Sequence, residues 1–597
     1  MDIDFSLRQQ IALALNESFG ADITADSLSL QPTRKEFTGT YTFVTFPFLK
    51  ISKMKPEETG EIIGDYLKSN SEIVEDYNVV QGFLNLHVSD MAWIKAFSSI
   101  VSNDKNGFRP SNGRRIMVEY SSPNTNKPLH LGHLRNNFLG YSVSKIYEAL
   151  GYDIIKAQII NDRGIHICKS MVAWEKYGNG ETPETSGMKG DKLVGKYYVA
   201  FEKQYRQEVN ALVDSGLKMV EAEKKAPIML EAVEMLRKWE AKEAETYALW
   251  ETMNNWVYKG FEITYNHMGV TFDKLYYESD TYLRGKKVVQ TGLDKGVFYK
   301  KEDGSVWIDL SADGLDEKLL LRSDGTAVYI TQDIGTAIER FTEYPDLEKL
   351  VYTVGNEQDY HFKVLFLILK KLEYSWADGC HHLSYGMVDL PTGKMKSREG
   401  TVVDADDLMD EMEQTALQHT QDLGKIEGFD EAQAANLYRM VGLGALKYFL
   451  LKVDPRKGML FNPEESIQFQ GNTGPFIQYT FARISALLRR AKETGIGLFM
   501  SDETFQGRLH EHEREVIYLL TQFESRINEA AGEYSPAVIA QYIFELAKEY
   551  NKFYQEVSIF GEQDEAKKRF RISFSYAVAR TIKSGMGLLG IEVPERM

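Results

Sequence analysis

Apolar positions change their period several times along the chain, and each change marks an element. Near the start Ile11, Leu13 and Leu15 belong to a helical run, and residues 41–46 form an extended stretch that ends at Pro47. A second helix is expected around 62–67 and an alternating strand over 82–88. These make a small α+β unit, closed by the polar stretch 102–107. Residues 115–120 then read as a buried strand, and 121–128 as a polar, proline-bounded loop. From Leu129 the period becomes helical: Leu131, Leu134, Phe138, Val143, Ile146, Tyr147 and Leu150 share a face that Gly151 closes. Residues 153–160 supply the next strand. Strand, loop, helix, strand is how a doubly wound parallel sheet opens.

Charge-rich helical segments follow, and strand-like runs return at 306–310, 327–330 and 350–354. Beyond Leu437 the pattern is helical throughout. Phe481, Ile484, Leu487 and Leu488 share one face; Ile543, Phe544, Leu546, Ala547, Tyr550, Phe553 and Val557 form another. The expected fold class is therefore α/β. Residues 1–107 would be an N-terminal α+β domain, and 108–435 a Rossmann-type doubly wound domain with a helical insertion at about 174–258. Residues 436–597 would be an all-α bundle.

A net charge of −17 argues against a broad nucleic-acid-binding face, although a local basic patch stays compatible with it. The two cysteines, Cys168 and Cys380, are too few for a disulfide framework or a Cys-based zinc site, which fits a reducing compartment. No stretch is apolar enough to span a membrane, and the first residues lack the pattern of a signal peptide. A cytoplasmic protein is expected.

The most informative segment is 121–135. His130 and His133 lie three apart in the first turn of a helix, so they share a face, and Gly132 between them lets a ligand approach the backbone. A helix N-terminus favours phosphate, and imidazoles placed there can donate to oxygens that gain charge in a transition state. Two such histidines alone also fit packing or a metal pair, but no third metal ligand stands at a helpful spacing. Their position after a strand and a loop is where open α/β sheets bind nucleotides. Far downstream, 390–400 offers Lys394, Lys396 and Arg398 between Gly393 and Gly400, either an ordinary solvated turn or cations that close over a triphosphate.

His130-Leu-Gly-His133 resembles the HIGH motif of class I aminoacyl-tRNA synthetases, and the stretch from Val118, with Ser122-Pro-Asn124 and Lys127, resembles that of arginyl-tRNA synthetases. Residues 394–398 are similar to the KMSKS loop, with Ser397 replacing its second lysine. The resemblance implies that Lys127 takes over that lysine's place and that Lys394 and Met395 contact ATP, which arrives with Mg²⁺. It implies no zinc and no metal held by protein ligands.

A guanidinium offers five donors and no acceptor, so a selective site needs carboxylates. By resemblance Tyr329 and Asp333 face the arginine side chain, Glu119 adds a second carboxylate, and Ser122, Asn124 and Gln358 hold the rest of the substrate. Taken singly, Asp333 also suits a helix cap, Glu119 an edge strand and Tyr329 a core position. A cysteine-specific relative would need zinc-binding cysteines, and a glutamate-specific one basic residues at 119 and 333. A non-catalytic relative would be expected to lose His130, Gly132, His133 and Lys394, all of which are present.

Arg483, Arg489 and Arg490, with Tyr479 nearby, have the chemistry that stacks and pairs single-stranded bases, although a solvated basic helix face would look the same. This stretch resembles the anticodon-binding domain of arginyl-tRNA synthetases, and the ending up to Met597 resembles that family's C-terminus. The N-terminal unit resembles the family's extra domain that touches the tRNA elbow. Implied partners are tRNA(Arg), ATP and L-arginine, and the implied state is a monomer.

Overall fold

The computed structural model describes residues 2–34, 36–282, 284–389, 403–422, 428–498 and 507–597. At its centre is a sheet of five parallel strands: β1 (Arg115–Glu119), β2 (Asp153–Ile160), β3 (Lys274–Tyr277), β4 (Leu347–Gly355) and β5 (Cys380–Tyr385). Their spatial order is β3-β2-β1-β4-β5, and Val118 of β1 stands opposite both Lys156 and Val351. β1 reads as unbroken apolar sequence because both its faces are covered. Ile116 and Val118 enter one core while Met117, between them, enters a second. The chain leaves β1 toward β2 on one side and returns to β4 on the other, so the strand order reverses between β1 and β4. In such sheets ligands bind in the crevice at that reversal.

Helix α1 (Leu131–Ala149) follows β1 and packs closely on it. A Cβ added at Gly140 would lie 2.4 Å from Cβ of Tyr120, so only glycine allows this approach. Between β2 and β3 run the helices Ile165–Tyr177, Gly190–Asp214, Pro227–Glu240 and Ala244–Met268.

One of the three later strand expectations needs correction, and another is met in a different sheet. Residues 306–308 are a strand, but of a separate three-stranded antiparallel sheet with Tyr299–Lys300 and Lys318–Leu321. In 327–330 only Ala327 makes a bridge, and helix α2 (Tyr329–Glu343) begins there. Its buried Ile330, Ile334, Ala337 and Phe341 recur at helical spacing, and that burial outweighs the local β-branched composition.

The first part of the chain folds as a four-stranded antiparallel sheet with the helices Ile3–Phe19, Pro56–Asn70 and Asp90–Val101. It is bound to the closing helical bundle. Asp90 pairs with Arg514 at 2.6 Å, and the Phe97 and Phe570 rings lie 5.0 Å apart. The bundle includes Glu431–Leu451, Gly474–Glu493, Glu511–Thr521, Phe523–Glu533, Pro536–Glu556 and Glu565–Leu588.

Candidate active site and nucleic-acid groove

His130 is the N-cap of α1 and His133 its third residue, and the two imidazoles cap the helix reciprocally. His130 Nδ1 accepts from the Gly132 N–H, and His133 Nδ1 accepts from the His130 N–H, each at 3.1 Å. A ring nitrogen that accepts carries no proton, so each neutral ring holds its proton on Nε2. Burial, reinforced by the Lys127 charge, pushes His130 down to about 4. Burial also holds His133 well below the usual histidine range, with His130 and Lys127 adding to the effect. At neutral pH the turn therefore presents two uncharged Nε2–H donors beside a lysine.

Lys394, Met395, Lys396 and Arg398 lie outside the described residues. The flanking segments do not. Val388–Asp389 pairs with Met459–Leu460, and Arg135 of α1 donates to the Pro455 and Lys457 carbonyls at 3.1 and 2.8 Å. On the other flank Asp404 bridges His130, and the Ala405 N–H donates to the Leu129 carbonyl at 2.9 Å. Both flanks are thus tied to the histidine helix.

The expected arginine contacts gather around the strand reversal. Glu119 ends β1, is buried, and is ion-paired with Arg340 of α2, itself 1% exposed. Its central position excludes the edge-strand alternative. Burial raises the Glu119 pKa, Arg340 opposes that rise and Asp333 adds to it. Asp333 stands one turn after Tyr329 inside α2, which excludes a capping role at residue 334. Its carboxylate bonds His361 Nε2 at 2.6 Å. Tyr329 is 76% exposed, the opposite of a core position, and Gln358 is exposed in the turn after β4. Ser122 and Asn124 sit in the loop after β1, where Asn124 bridges Asn161. That loop is pinned at Ser121, left-handed at φ 60°, whose N–H donates to Asn136 Oδ1 at 2.6 Å.

Four further residues belong to this region although the sequence did not single them out. Arg340 and His361 are the partners of Glu119 and Asp333. Asn136 also donates to the Thr353 carbonyl of β4 at 2.7 Å, spanning the reversal. Glu278 directly follows β3; burial raises it to about 7, Asp162 and Asp333 add to the rise, and Arg163 opposes it. A carboxylate at the carboxyl end of a parallel strand was a readable signal for Glu278 and Glu119 alike. The other three had none, because their partners are remote in sequence. One other group among the described residues has the closeness of metal ligands, His512, Glu515 and Glu549, but Lys552 already pairs with Glu549 at 2.7 Å.

In the bundle, Tyr479, Arg483, Arg489, Arg490 and Met597 all line one open cavity of about 740 Å³, joined by Tyr554 and Phe560. The Arg483 guanidinium lies 5.0 Å from the Tyr479 ring centre and 5.1 Å from that of Tyr554, and Arg490 lies 4.2 Å from Phe560. Aromatic faces alternating with guanidinium planes form a surface on which splayed bases can stack.

Comparison with known proteins gives the family. The family model for the catalytic domain of class I tRNA synthetases (R) matches residues 96–462, and that for the DALR anticodon binding domain matches 477–597. The chain is 57% identical to an arginine–tRNA ligase of Flavobacterium psychrophilum and 55% identical to one of Bacteroides thetaiotaomicron, each covering 100% of both chains. Among solved structures, the Thermus thermophilus arginyl-tRNA synthetase superposes with a TM-score of 0.78 at 25% identity, covering 99% of each chain. The Plasmodium falciparum arginyl-tRNA synthetase has the same fold at a TM-score of 0.75 and 18% identity, over 100% of this chain and 99% of its own. With a histidine-capped helix at the strand reversal, carboxylates beside it and relatives matched end to end, the chain belongs to the arginyl-tRNA synthetase family of class I.

Proposed function

We propose a division of labour among named residues for the ATP-dependent joining of arginine to tRNA. The arginine guanidinium enters beside the carboxylates at the strand reversal, where Asp333 and Tyr329 meet it and Glu119, braced by Arg340, lies behind them. Ser122, Asn124 and Gln358 hold the amino-acid head. The substrate carboxylate then attacks the α-phosphorus of ATP; a C–O–P bond forms, the bond to the β-phosphate breaks, and pyrophosphate leaves. His130 and His133 donate from Nε2 to phosphate oxygens as their charge grows, beside Gly132, where no side chain intervenes. Lys127, Lys394 and Arg398 supply positive charge, and Met395 packs against the nucleotide.

Mg²⁺ enters with the triphosphate and shields its charge. The carboxylates near the turn suit this reading, since Asp404 and Asp407 face Lys192 and Asp406 faces Lys189.

In the second step the terminal ribose hydroxyl of tRNA(Arg) attacks the arginyl carbonyl carbon and AMP departs. Bases of the anticodon loop occupy the groove around Tyr479, Arg483, Arg489, Arg490 and Met597. Residues 1–107 lie against the tRNA elbow, 108–435 carry catalysis and 436–597 bind the anticodon. The enzyme works as a monomer in the cytoplasm; two free cysteines and the lack, among the described residues, of a helix long and apolar enough to cross a membrane are compatible with that setting.

The observation that carries this assignment is the meeting of neutral Nε2–H donors and the buried Glu119 carboxylate at one strand reversal. It is tested by ATP–pyrophosphate exchange with each of the twenty amino acids, with and without tRNA. Exchange with arginine, dependent on added tRNA, is expected. Exchange driven by another amino acid would rule out the pocket.

A further inference from the structure

The segment 588–597 runs from the helix that carries the histidines to the groove in the bundle. At one end the Leu588 carbonyl accepts from Ser142 Oγ of α1 at 2.8 Å, in a buried contact. Gly590, left-handed at φ +68°, passes so near the Tyr141 ring that an added Cβ would lie 3.1 Å from it. Further along, Gln478 donates to the Glu592 carbonyl at 2.8 Å, and Arg439 pairs with the Glu592 side chain at 2.9 Å. Arg489 donates to the Glu595 carbonyl at 2.9 Å, and the Arg596 guanidinium lies 4.7 Å from the Phe429 ring centre. Arg596 and Met597 then line the groove itself.

Lys447 joins the three parts. It belongs to the helix Glu431–Leu451, donates to the Gly590 carbonyl at 2.6 Å, and lies 5.5 Å from the Phe138 ring centre of α1. It is 7% exposed, and burial lowers its pKa to about 8. Burying an ammonium is costly, and an apolar side chain of the same length would fill the space without that cost. What the ammonium adds is a directed bond that holds the segment against α1. A cavity of about 250 Å³, lined by Tyr141, Gly269, Lys447, Gly590 and Glu592, adjoins this point, so the segment has room to shift.

We infer that segment 588–597 couples occupancy of the groove to the placement of the histidine helix, with Lys447 as the positioning residue that fastens the segment to α1. The inference rests on reading the groove as the anticodon site. A base entering beside Arg489, Arg596 and Met597 moves a segment whose successive carbonyls are gripped by side chains. The displacement reaches Gly590 and Leu588, and α1 carries it as a rigid element to His130 and His133. Groove and active site then bias the same element, which is the physical requirement for coupling.

The test compares aminoacylation of a tRNA(Arg) transcript with that of the same transcript bearing substituted anticodon-loop bases. Lys447→Met keeps the stem and removes the ammonium. It is expected to lower kcat on the unaltered transcript by about fivefold or more, with tRNA affinity and KM for ATP and arginine unchanged. The kcat advantage of the unaltered transcript over the substituted one shrinks by the same factor, and Lys447→Arg restores part of it. Ser142→Ala, which loses only the Leu588 bond, shows the same selective loss and serves if Lys447→Met does not fold. Equal kcat losses on both transcripts, or none on either, overturn the coupling. If the unsubstituted enzyme binds and charges both transcripts alike, the groove reading itself fails, and the coupling with it.

Discussion

The two histidines illustrate how much one residue pair can settle. Their spacing and the glycine between them were visible in the sequence, and so was their place at a helix start. Their protonation was not, because it follows from the reciprocal Nδ1 bonds and from burial. His133→Ala is expected to slow adenylate formation by a factor of ~100 or more while arginine and tRNA still bind; single-turnover kinetics with separate binding titrations would check this. Both folded-state pKa values are lowered, so the unfolded chain takes up protons first. Stability linked to His130 is therefore present above pH ~6.5 and lost as pH falls toward about 4, and His133 acts in the same direction. Urea unfolding over that window should show a shallower pH slope for His130→Asn combined with His133→Asn. Glu119 was legible as a carboxylate at the end of an apolar strand, whereas its partner Arg340 is 221 residues away and carried no signal. Arg340→Met strands a buried carboxylate and should cost about 3–5 kcal/mol in chemical denaturation. Adding Glu119→Gln should recover part of that loss.

Among elements, the contact of α1 with β1 carries most weight, since it sets where the histidines stand relative to the crevice. Gly140 permits it, with Tyr120 directly beneath. Gly140→Ala should destabilise the fold by about 1–3 kcal/mol and lower kcat together, because relief of the clash lifts α1 from the sheet. A thermal melt and a kcat measurement on one preparation would decide whether the two effects travel together. β1 was readable because both of its faces are buried, which leaves an unbroken apolar run. The start of α2 was misread for the opposite reason. Its first residues favour extended structure locally, and only packing of Ile330, Ile334, Ala337 and Phe341 against the second core makes them helical.

The whole molecule combines a net charge of −17 with a groove lined by Arg483, Arg489, Arg490 and Arg596. Total charge therefore says little about tRNA binding; the local arrangement of cations and rings decides it. Arg490→Ala should weaken tRNA binding and reduce the slope of log affinity against log salt by roughly 1, if the guanidinium meets a phosphate. An unchanged salt slope with weaker binding would instead assign Arg490 to base stacking. The groove also draws Tyr479, Tyr554 and Met597 from three separate stretches of chain. Sequence reading found Tyr479 and the arginines of one helix, and it missed Tyr554 and Phe560, which come from a region whose apolar period reads simply as core.

By itself the sequence determined what is local. Periods of apolar residues named the helix after β1, the parallel-sheet opening and the helical bundle, and a contiguous motif named the histidine turn. These survive in one dimension because helix and strand periods, caps and short motifs involve neighbours in the chain. Only the tertiary structure decided which carboxylate meets which cation, which rings are buried enough to stay neutral, and that segment 588–597 lies between groove and histidine helix. Burial and ion pairing depend on which elements meet, and pairs such as Glu119 with Arg340 or Lys447 with Gly590 leave no periodic trace in the chain.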